Sequence, residues 1–582
     1  MASTDSRCEL GRARLGMLAL PVVLRYFTVL LRPRLWSADR ATARAAAREI
    51  QTRIRQTMPD ETLYHIERSV PWGRLPFPPR PPPGTMEEMC RQARSALLLA
   101  IAPNFPTETD DEVQVAFAHH ADDQVETAIM RAMKGSKDWG ISGMKRVRRW
   151  GMGDSSDIRP GGLTGMKTWI VRPLLDIPKD RILATCEANK LEYVLDPTNF
   201  QPELTLRNYV RDHLSQRELQ MENSPDGTYN ELMRARNAYG PPVNTSLDGN
   251  QELEPEPEVV FESVFPTRRA GEIERAIAQI CPGPSRLTDI REAVRNIGQN
   301  VEKLEVQALN VLKDCVVPDY MRSKLLLRPA ALRKVTDPAV QEAIVRRILR
   351  YVSPKPWGSL ASIAHARRSK IDAIIAKLWD SDPTTFSLGA EVLWQPVVFP
   401  KGTVEPKGPY KLRHVDPEEP FFWLVERAPP TAAEKSAQMI VSERTLRGQE
   451  EGVRHYLFDN RFDLAFDLSW GKIVWTTEIL KSPYEGPKRA PNTLPTAVGA
   501  NWTPGSARKP ADMDKFPSPS TVLARGDIVV ALSTPHMVPE FVWRCPGQEQ
   551  MKLGEFRVEA DVPSWQGAPW ISCEFVRDLY GP

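Results

Sequence analysis

The residues with the clearest chemical content are nine in a row, His119-His120-Ala121-Asp122-Asp123-Gln124-Val125-Glu126-Thr127. Glu126 follows Asp122 by four residues and Asp123 by three, so a helix starting here would carry the three carboxylates along one side. Carboxylates grouped this way can hold Mg²⁺ on a nucleotide, bind an ammonium group or remove a proton. A plainer use competes with each of these. Asp122 can serve as the helix N-cap at the positive end of the dipole. His119 and His120 can be packing or hydrogen-bonding residues, and Arg131 a solvated helix residue. Packing alone, however, does not require the whole string.

The elements around the string must place it. Val113 to Ala118 is a short apolar run suited to a buried strand, and it leads directly into His119. From Asp122 to about Met133 the spacing predicts a helix with Val125, Ala128, Ile129, Ala132 and Met133 as its apolar stripe. Gly135 and Gly140 then provide exits. Upstream, Met86 to Ile101 reads as a helix with Ala93, Leu97 and Leu98 inward. Downstream come a basic, glycine-punctuated loop from Lys145 to Gly165, a strand from Trp169 ending at Pro173, and a helix from Pro178 to Asn189. Strand and helix in alternation predict an α/β domain with a parallel sheet, whose ligands sit at the carboxyl ends of its strands.

Three ordered segments carry a family resemblance. His119 to Thr127 with Met130-Arg131 and Lys134-Gly135, then Arg172-Pro173-Leu174-Leu175-Asp176, then Asp196-Pro197-Thr198-Asn199 with Arg207-Asn208-Tyr209-Val210-Arg211, resemble the motifs of the tRNA(Ile)-lysidine synthetases of the PP-loop ATP-pyrophosphatase superfamily. The resemblance is strong over about 112 to 215 and fainter over 285 to 380. It implies ATP, with Mg²⁺, as cofactor, and isoleucine tRNA and free lysine as partners. In the implied reaction, ATP adenylates the C2 oxygen of the wobble cytidine and pyrophosphate leaves; the lysine ε-amine then attacks C2 and AMP departs with that oxygen. Because that amine must lose a proton to become a nucleophile, nearby carboxylates are useful.

Asp122, Asp123 and Glu126 are therefore the candidate catalytic residues, their roles undivided, with Asp122 and Asp123 also candidates for Mg²⁺ through ATP. His119, His120, Arg131, Arg172, Arg207 and Arg211 are candidates for substrate or phosphate binding, since guanidinium groups bind phosphate bidentately. Lys145, Arg146, Arg148, Arg149 and Trp150 are candidates for tRNA, following phosphates and stacking on a base. The family's opening SGGxDS loop is not found. Ser3-Thr4-Asp5-Ser6 echoes only its last letters, and Phe27 to Leu31 reads as the family's next strand with a helix over Ala41 to Arg55. The α/β domain is thus expected to be N-terminally incomplete.

Other readings remain. A tRNA-thiolating PP-loop enzyme shares the acidic stretch but uses paired cysteines, and the seven cysteines here contain no CxxC pair. A metal-dependent hydrolase could use His119, His120, Asp122 and Asp123 with further ligands. A degenerate relative could bind tRNA or protein without catalysis.

The chain of 582 residues calls for several domains. Residues 1–220 form the PP-loop-type α/β unit, 221–275 a linker or insert, 276–385 a helical domain, and 386–582 a β-rich mixed α+β region. A mobile proline-rich insert is expected at about 483–519, where part of the excess of 53 prolines falls. Within the helical domain, Leu287 to Leu304 marks a long amphipathic helix, Asp337-Pro338 opens another, and Ser359 to Leu378 a third. Phe462, Leu464, Phe466 and Leu468 alternate as a half-buried strand. A net charge of +3 does not itself demand a nucleic-acid partner. No stretch suffices for a membrane span. The first 60 residues, with eleven Arg and no Lys, fit an organellar leader and a mitochondrial address, the cytoplasm otherwise. The oligomeric state is left open.

Overall fold

The computed structural model describes residues 26–32, 52, 56, 63–81, 83–101, 114–153, 161–191, 201–202, 205–222, 268–318, 322–359, 362, 367–380, 382–398, 421–431, 439–441, 452–467, 527–532, 538–544, 550–559 and 562–580. Most of the leader-like start and of the helix expected over Ala41 to Arg55, most of the 221–275 linker, Asp196 to Asn199, Leu468 and the proline-rich stretch at 483–519 lie outside them. Among the described residues no helix is long and apolar enough to cross a membrane.

Strands β1 (Tyr26–Arg32) and β2 (Leu63–Ser69) pair in parallel. A proline-rich run follows β2. It turns at Gly73, whose N–H is donated to Pro78, and buries Phe77 against Val70. Helix α1 (Pro83–Ile101) packs there through Ala93 and Ala96. Leu97, expected inward with Ala93, is half-buried and packs against the same cluster.

The element that matters most is a crossover. β3 (Gln114–Ala116) runs into α2 (Ala121–Met133), and the chain returns to β5 (Trp169–Val171), which pairs with β3 in parallel, Ala116 opposite Val171. Because the pair is in register at its carboxyl ends, the residues just beyond, His119 and Arg172, must emerge side by side. The basic run expected as loop instead contributes β4 (Val147–Arg149), antiparallel to β5 on the sheet's other edge, followed by the short helix α4 (Gly162–Lys167). α3 (Asp138–Ile141) lies between α2 and β4, and α5 (Lys179–Ala188) follows β5.

Val125, Ala128 and Ile129 of α2 are fully buried. Removing a Val or Ile side chain from water stabilises by about 1.5–3 kcal/mol, so this stripe fixes how α2 is rotated and which face its carboxylates take. Its partners are Val210 and Leu214 of α6 (Leu206–Glu222), Ile273, Ala276, Ile277 and Ile280 of α7 (Arg268–Ile280), and Ile290 and Val294 of α8 (Leu287–Cys315). α7 thus begins inside the stretch expected to be linker, and the helical region shares one core with the α/β unit.

The second half of α8 enters a larger core. It includes α9 (Pro329–Leu332), α10 (Pro338–Val352), whose N-cap Asp337 accepts from Ala339 N–H, and α11 (Arg368–Leu378). β6 (Leu325–Leu327), β7 (Phe386–Ser387), β8 (Val392–Val397) and β9 (Phe422–Arg427) form a sheet in the order β6-β9-β8-β7, with Trp394 and Trp423 buried in that core.

Strands predominate among the described residues of the C-terminal region. It holds a five-stranded sheet of β10 (Met439–Val441), β13 (Asp527–Leu532), β14 (Pro539–Arg544), β15 (Met551–Glu559) and β16 (Val562–Gly567). A three-stranded sheet combines β11 (Val453–Phe458), β12 (Phe462–Asp467) and β17 (Ile571–Phe575). β12 is its middle strand and is buried on both faces, not half-buried. Its inward Asp463 is accommodated by His455 Nδ1 at 3.0 Å.

Candidate functional site

Asp122 is not the cap of α2. His120 is the N-cap residue: its Nδ1 faces the Asp123 N–H at 3.4 Å, and Asp123 Oδ2 accepts the His120 N–H at 3.0 Å, closing a capping box. With Asp123 used this way, Asp122 points sideways. Its Oδ2 accepts the backbone N–H of Lys179 at the start of α5 at 2.8 Å, and its Oδ1 accepts Arg291 of α8 through Nε at 2.8 Å and Nη2 at 2.5 Å. Arg291 was not singled out by the sequence, since an arginine on an amphipathic helix carries no local mark of a distant partner.

Glu126 lies deeper, its side chain 3% exposed. Arg211 Nε donates to its Oε1 at 2.7 Å and Arg211 Nη2 to its Oε2 at 3.1 Å, while Arg207 Nε stands 3.5 Å from Oε2. Arg207 Nη1 is also 4.0 Å from Asp123 Oδ1, and its Nη2 donates to Thr127 Oγ1 at 3.2 Å. Four residues apart on α6, Arg207 and Arg211 share a face, while Val210 and Leu214 turn into the core. Burial pushes the Glu126 carboxyl above the usual range, and the two guanidiniums act against that. The structure thus gathers Asp123, Glu126, Arg207 and Arg211 at the head of α2, with Asp122 beside them.

Arg172 joins through His119. Arg172 Nε donates to His119 Nδ1 at 3.3 Å, and its Nη1 to the Lys145 carbonyl at 2.7 Å. Burial lowers the His119 pKa to about 4, with Arg172 and Arg207 acting in the same sense and Asp123 against it. The imidazole is therefore neutral near pH 7 and brings no charge to a phosphate, and burial lowers His120 as well. Arg172, lowered by burial to about 10, stays charged.

The His119 shift has a measurable consequence. A depressed folded pKa means the unfolded chain binds the proton more readily, so this stability is present above pH 6.5 and is lost as pH falls toward about 4. His119→Phe, which keeps the stack on Phe117 (5.5 Å between centroids), is expected to flatten the fall of the urea midpoint between pH 6.5 and 4. An unchanged profile contradicts the assignment of that loss to His119.

The remaining candidates are engaged within the protein. Arg131 donates to the carbonyls of Gly140 and Gly143 at 2.9 and 2.7 Å, closing the turn after α2. Lys145 Nζ is 2.6 and 2.7 Å from the carboxylate oxygens of Glu305 on α8. Arg146 pairs with Asp176, Arg148 donates to the carbonyls of Arg149 and Trp150, and the Arg149 guanidinium lies 3.8 Å over the Trp169 ring. Trp150 leans on Phe117 at 5.8 Å. Arg146 is the more open of the two paired cations at the start of the basic run, 46% exposed against 38% for Lys145.

If a divalent cation came with a nucleotide, Asp123 Oδ1 would be the better placed oxygen, since those of Asp122 serve Lys179 and Arg291. Mg²⁺ on a nucleotide needs only one or two carboxylates besides phosphates and water. Among the described residues, no group of three His, Cys, Asp or Glu side chains is placed to hold a metal by itself.

Carboxylates and guanidiniums therefore meet at the carboxyl end of a parallel strand pair, and residues 80–218, which contain that arrangement, match the family described as the PP-loop domain. This segment is a PP-loop domain. The chain is similar to the tRNA(Ile)-lysidine synthases of Bacillus licheniformis (34% identical over 100 residues, 17% of this chain and 18% of the relative) and Methylobacterium nodulans (37% over 134 residues, 22% and 34%). The enzyme of that name from Bacillus subtilis is 40% identical over 97 residues, 17% of each chain. The chain thus spans about a third or less of these relatives' lengths. The α/β architecture expected from the sequence is the one observed, and the PP-loop domain carries it.

Proposed function

We propose that this chain is an ATP-dependent ligase that joins free lysine to C2 of the wobble cytidine of an isoleucine tRNA through an adenylated intermediate. The observation that carries the reading is the set Asp123, Glu126, Arg207 and Arg211 at the head of α2, adjoining Arg172 through His119. Such a site offers both charges a lysine ligation requires. Guanidiniums can take the phosphates of ATP and of the tRNA backbone, and stabilise charge developing as pyrophosphate leaves. Carboxylates can hold the ε-ammonium, and Glu126, made more basic by burial, suits removal of its proton.

In this reading Asp123 and Glu126 act on lysine or Mg²⁺. Arg172, Arg207 and Arg211 act on phosphate, and the neutral His119 and His120 orient their neighbours. Asp122 and Arg131 hold the site's frame. Lys145 to Trp150 would meet tRNA chiefly through Arg146 and the strand's outer edge. The similarity to relatives named tRNA(Ile)-lysidine synthase supports the substrate choice.

ATP–pyrophosphate exchange on the purified chain tests the first half-reaction. Exchange that depends on an isoleucine tRNA transcript is the expected result. Tight tRNA binding without exchange favours the non-catalytic relative instead.

A further inference from the structure

We infer that Arg291 is a positioning residue through which the helical part of the chain sets the acidic turn of the PP-loop domain, an inference that rests on the ligase reading only for its effect on turnover. Arg291 approaches Asp122 with two nitrogens of its fork, a geometry lysine cannot reproduce, and its Nη1 lies 3.7 Å from Asp180 at the start of α5. Its side chain is 12% exposed and that of Asp122 16%. Asp122 in turn holds the Lys179 N–H, so one carboxylate ties together α2, α5 and α8. A contact at this junction fixes the direction in which α2 presents Asp123 and Glu126.

The helix bearing Arg291 is built to transmit position. Residues 291, 298 and 305 are seven apart and so fall close to one side of α8. At the first, Arg291 supplies a cation to the acidic turn. At the second, Gly298 faces the PP-loop domain, where a Cβ would stand in ordinary contact, 3.5 Å from the Ser142 carbonyl oxygen. At the third, Glu305 supplies an anion to Lys145 of the basic run. The two ion pairs are about 21 Å apart along the axis at 1.5 Å per residue. Buried Ile290, Val294 and Val301 clamp the intervening turns. One helix thus grips both sequence-singled segments, each by the charge it lacks, and its second half is embedded in the core around α10.

The test compares Arg291→Met and Arg291→Lys in the full chain by hydrogen exchange resolved at the Lys179 amide. The Met144 amide, held by Gln124 Oε1 at 2.7 Å, serves as the internal control. Loss of a charge-assisted tie is expected to speed exchange at Lys179 about tenfold while Met144 stays protected, with partial recovery in Arg291→Lys. Unchanged exchange at Lys179, or an equal rise at both amides, overturns the inference. Should the Met variant not fold, Arg291→Lys against the parent is read by the same criterion. Where the parent shows pyrophosphate exchange, Arg291→Met should lower kcat and leave KM for ATP unchanged. A rise confined to KM, with kcat unchanged, contradicts positioning. A parent without exchange counts against the ligase reading alone, and the Lys179 amide still decides the role of Arg291.

Discussion

Glu126→Gln is expected to abolish ligation and to lower unfolding stability by about 3 kcal/mol, the low end of what removing one partner of a buried ion pair costs. The low end applies because Arg207 and Arg211 are about a quarter exposed and recover some hydration, whereas Glu126 is 3% exposed. The amide keeps the shape but leaves two guanidiniums facing a neutral group, and it cannot take a proton from an ammonium. Urea unfolding measures the stability change and tRNA-dependent pyrophosphate exchange the chemistry. A variant within 0.5 kcal/mol of the parent, or one that keeps full turnover, contradicts the placement of Glu126 at the centre of the site; changes of that size are the ordinary scatter of surface substitutions, put at about ±0.5 kcal/mol.

Gly165→Ala is expected to destabilise by about 3 kcal/mol, the upper range for forced overpacking. Helix propensity alone predicts the opposite sign, a gain of about 1 kcal/mol for Gly to Ala within a helix. The difference lies in three converging backbones. A Cβ on Gly165 would collide with the Gly151 carbonyl, while the Gly151 N–H is donated to the Gly165 carbonyl at 3.1 Å. Behind Gly151 (φ +102°) lies the Trp357 backbone, so close that a Cβ on Gly151 would stand 2.9 Å from the Trp357 carbonyl oxygen. The Trp357 carbonyl accepts the Met152 N–H at 2.8 Å, and the Trp357 ring lies under the guanidiniums of Arg350 and Arg577, at 4.5 and 5.4 Å. The collision therefore passes from the PP-loop domain into the helical and C-terminal parts. Gly162→Ala is the comparison, since its φ of +49° is strained but a Cβ meets nothing within 4 Å. It should cost about 1 kcal/mol. Equal effects of the two substitutions in thermal unfolding contradict this account.

Much of this arrangement is written locally. The switch from an apolar run before His119 to a period near 3.6 after Asp122 marks the strand-to-helix turn, and the structure places β3 and α2 there. The pairing of β3 with β5 follows from the crossover and explains why His119 and Arg172, 53 residues apart, share a hydrogen bond. What local pattern could not give is who neutralises whom. Which of Asp122 and His120 caps α2 depends on the capping box with Asp123, and once that is made Asp122 is free for a tertiary partner. Arg291 sits 169 residues from Asp122, on a helix whose apolar spacing explains its own burial and nothing about its cation. The basic run likewise reads as a solvated loop until β5 offers an edge and Glu305 a counter-charge. The half-buried reading of β12 failed for a related reason, since alternation shows which side chains share a face but not that both faces are covered.

The most direct test is transfer of isotopically labelled lysine to an isoleucine tRNA transcript by the purified full chain, read by mass spectrometry of the digested nucleosides, with Glu126→Gln alongside. The account predicts ATP-dependent appearance of a lysine-bearing cytidine at the wobble position with the parent and none with the variant. Label incorporated equally by both, or a parent that hydrolyses ATP and leaves the wobble cytidine unmodified, contradicts it.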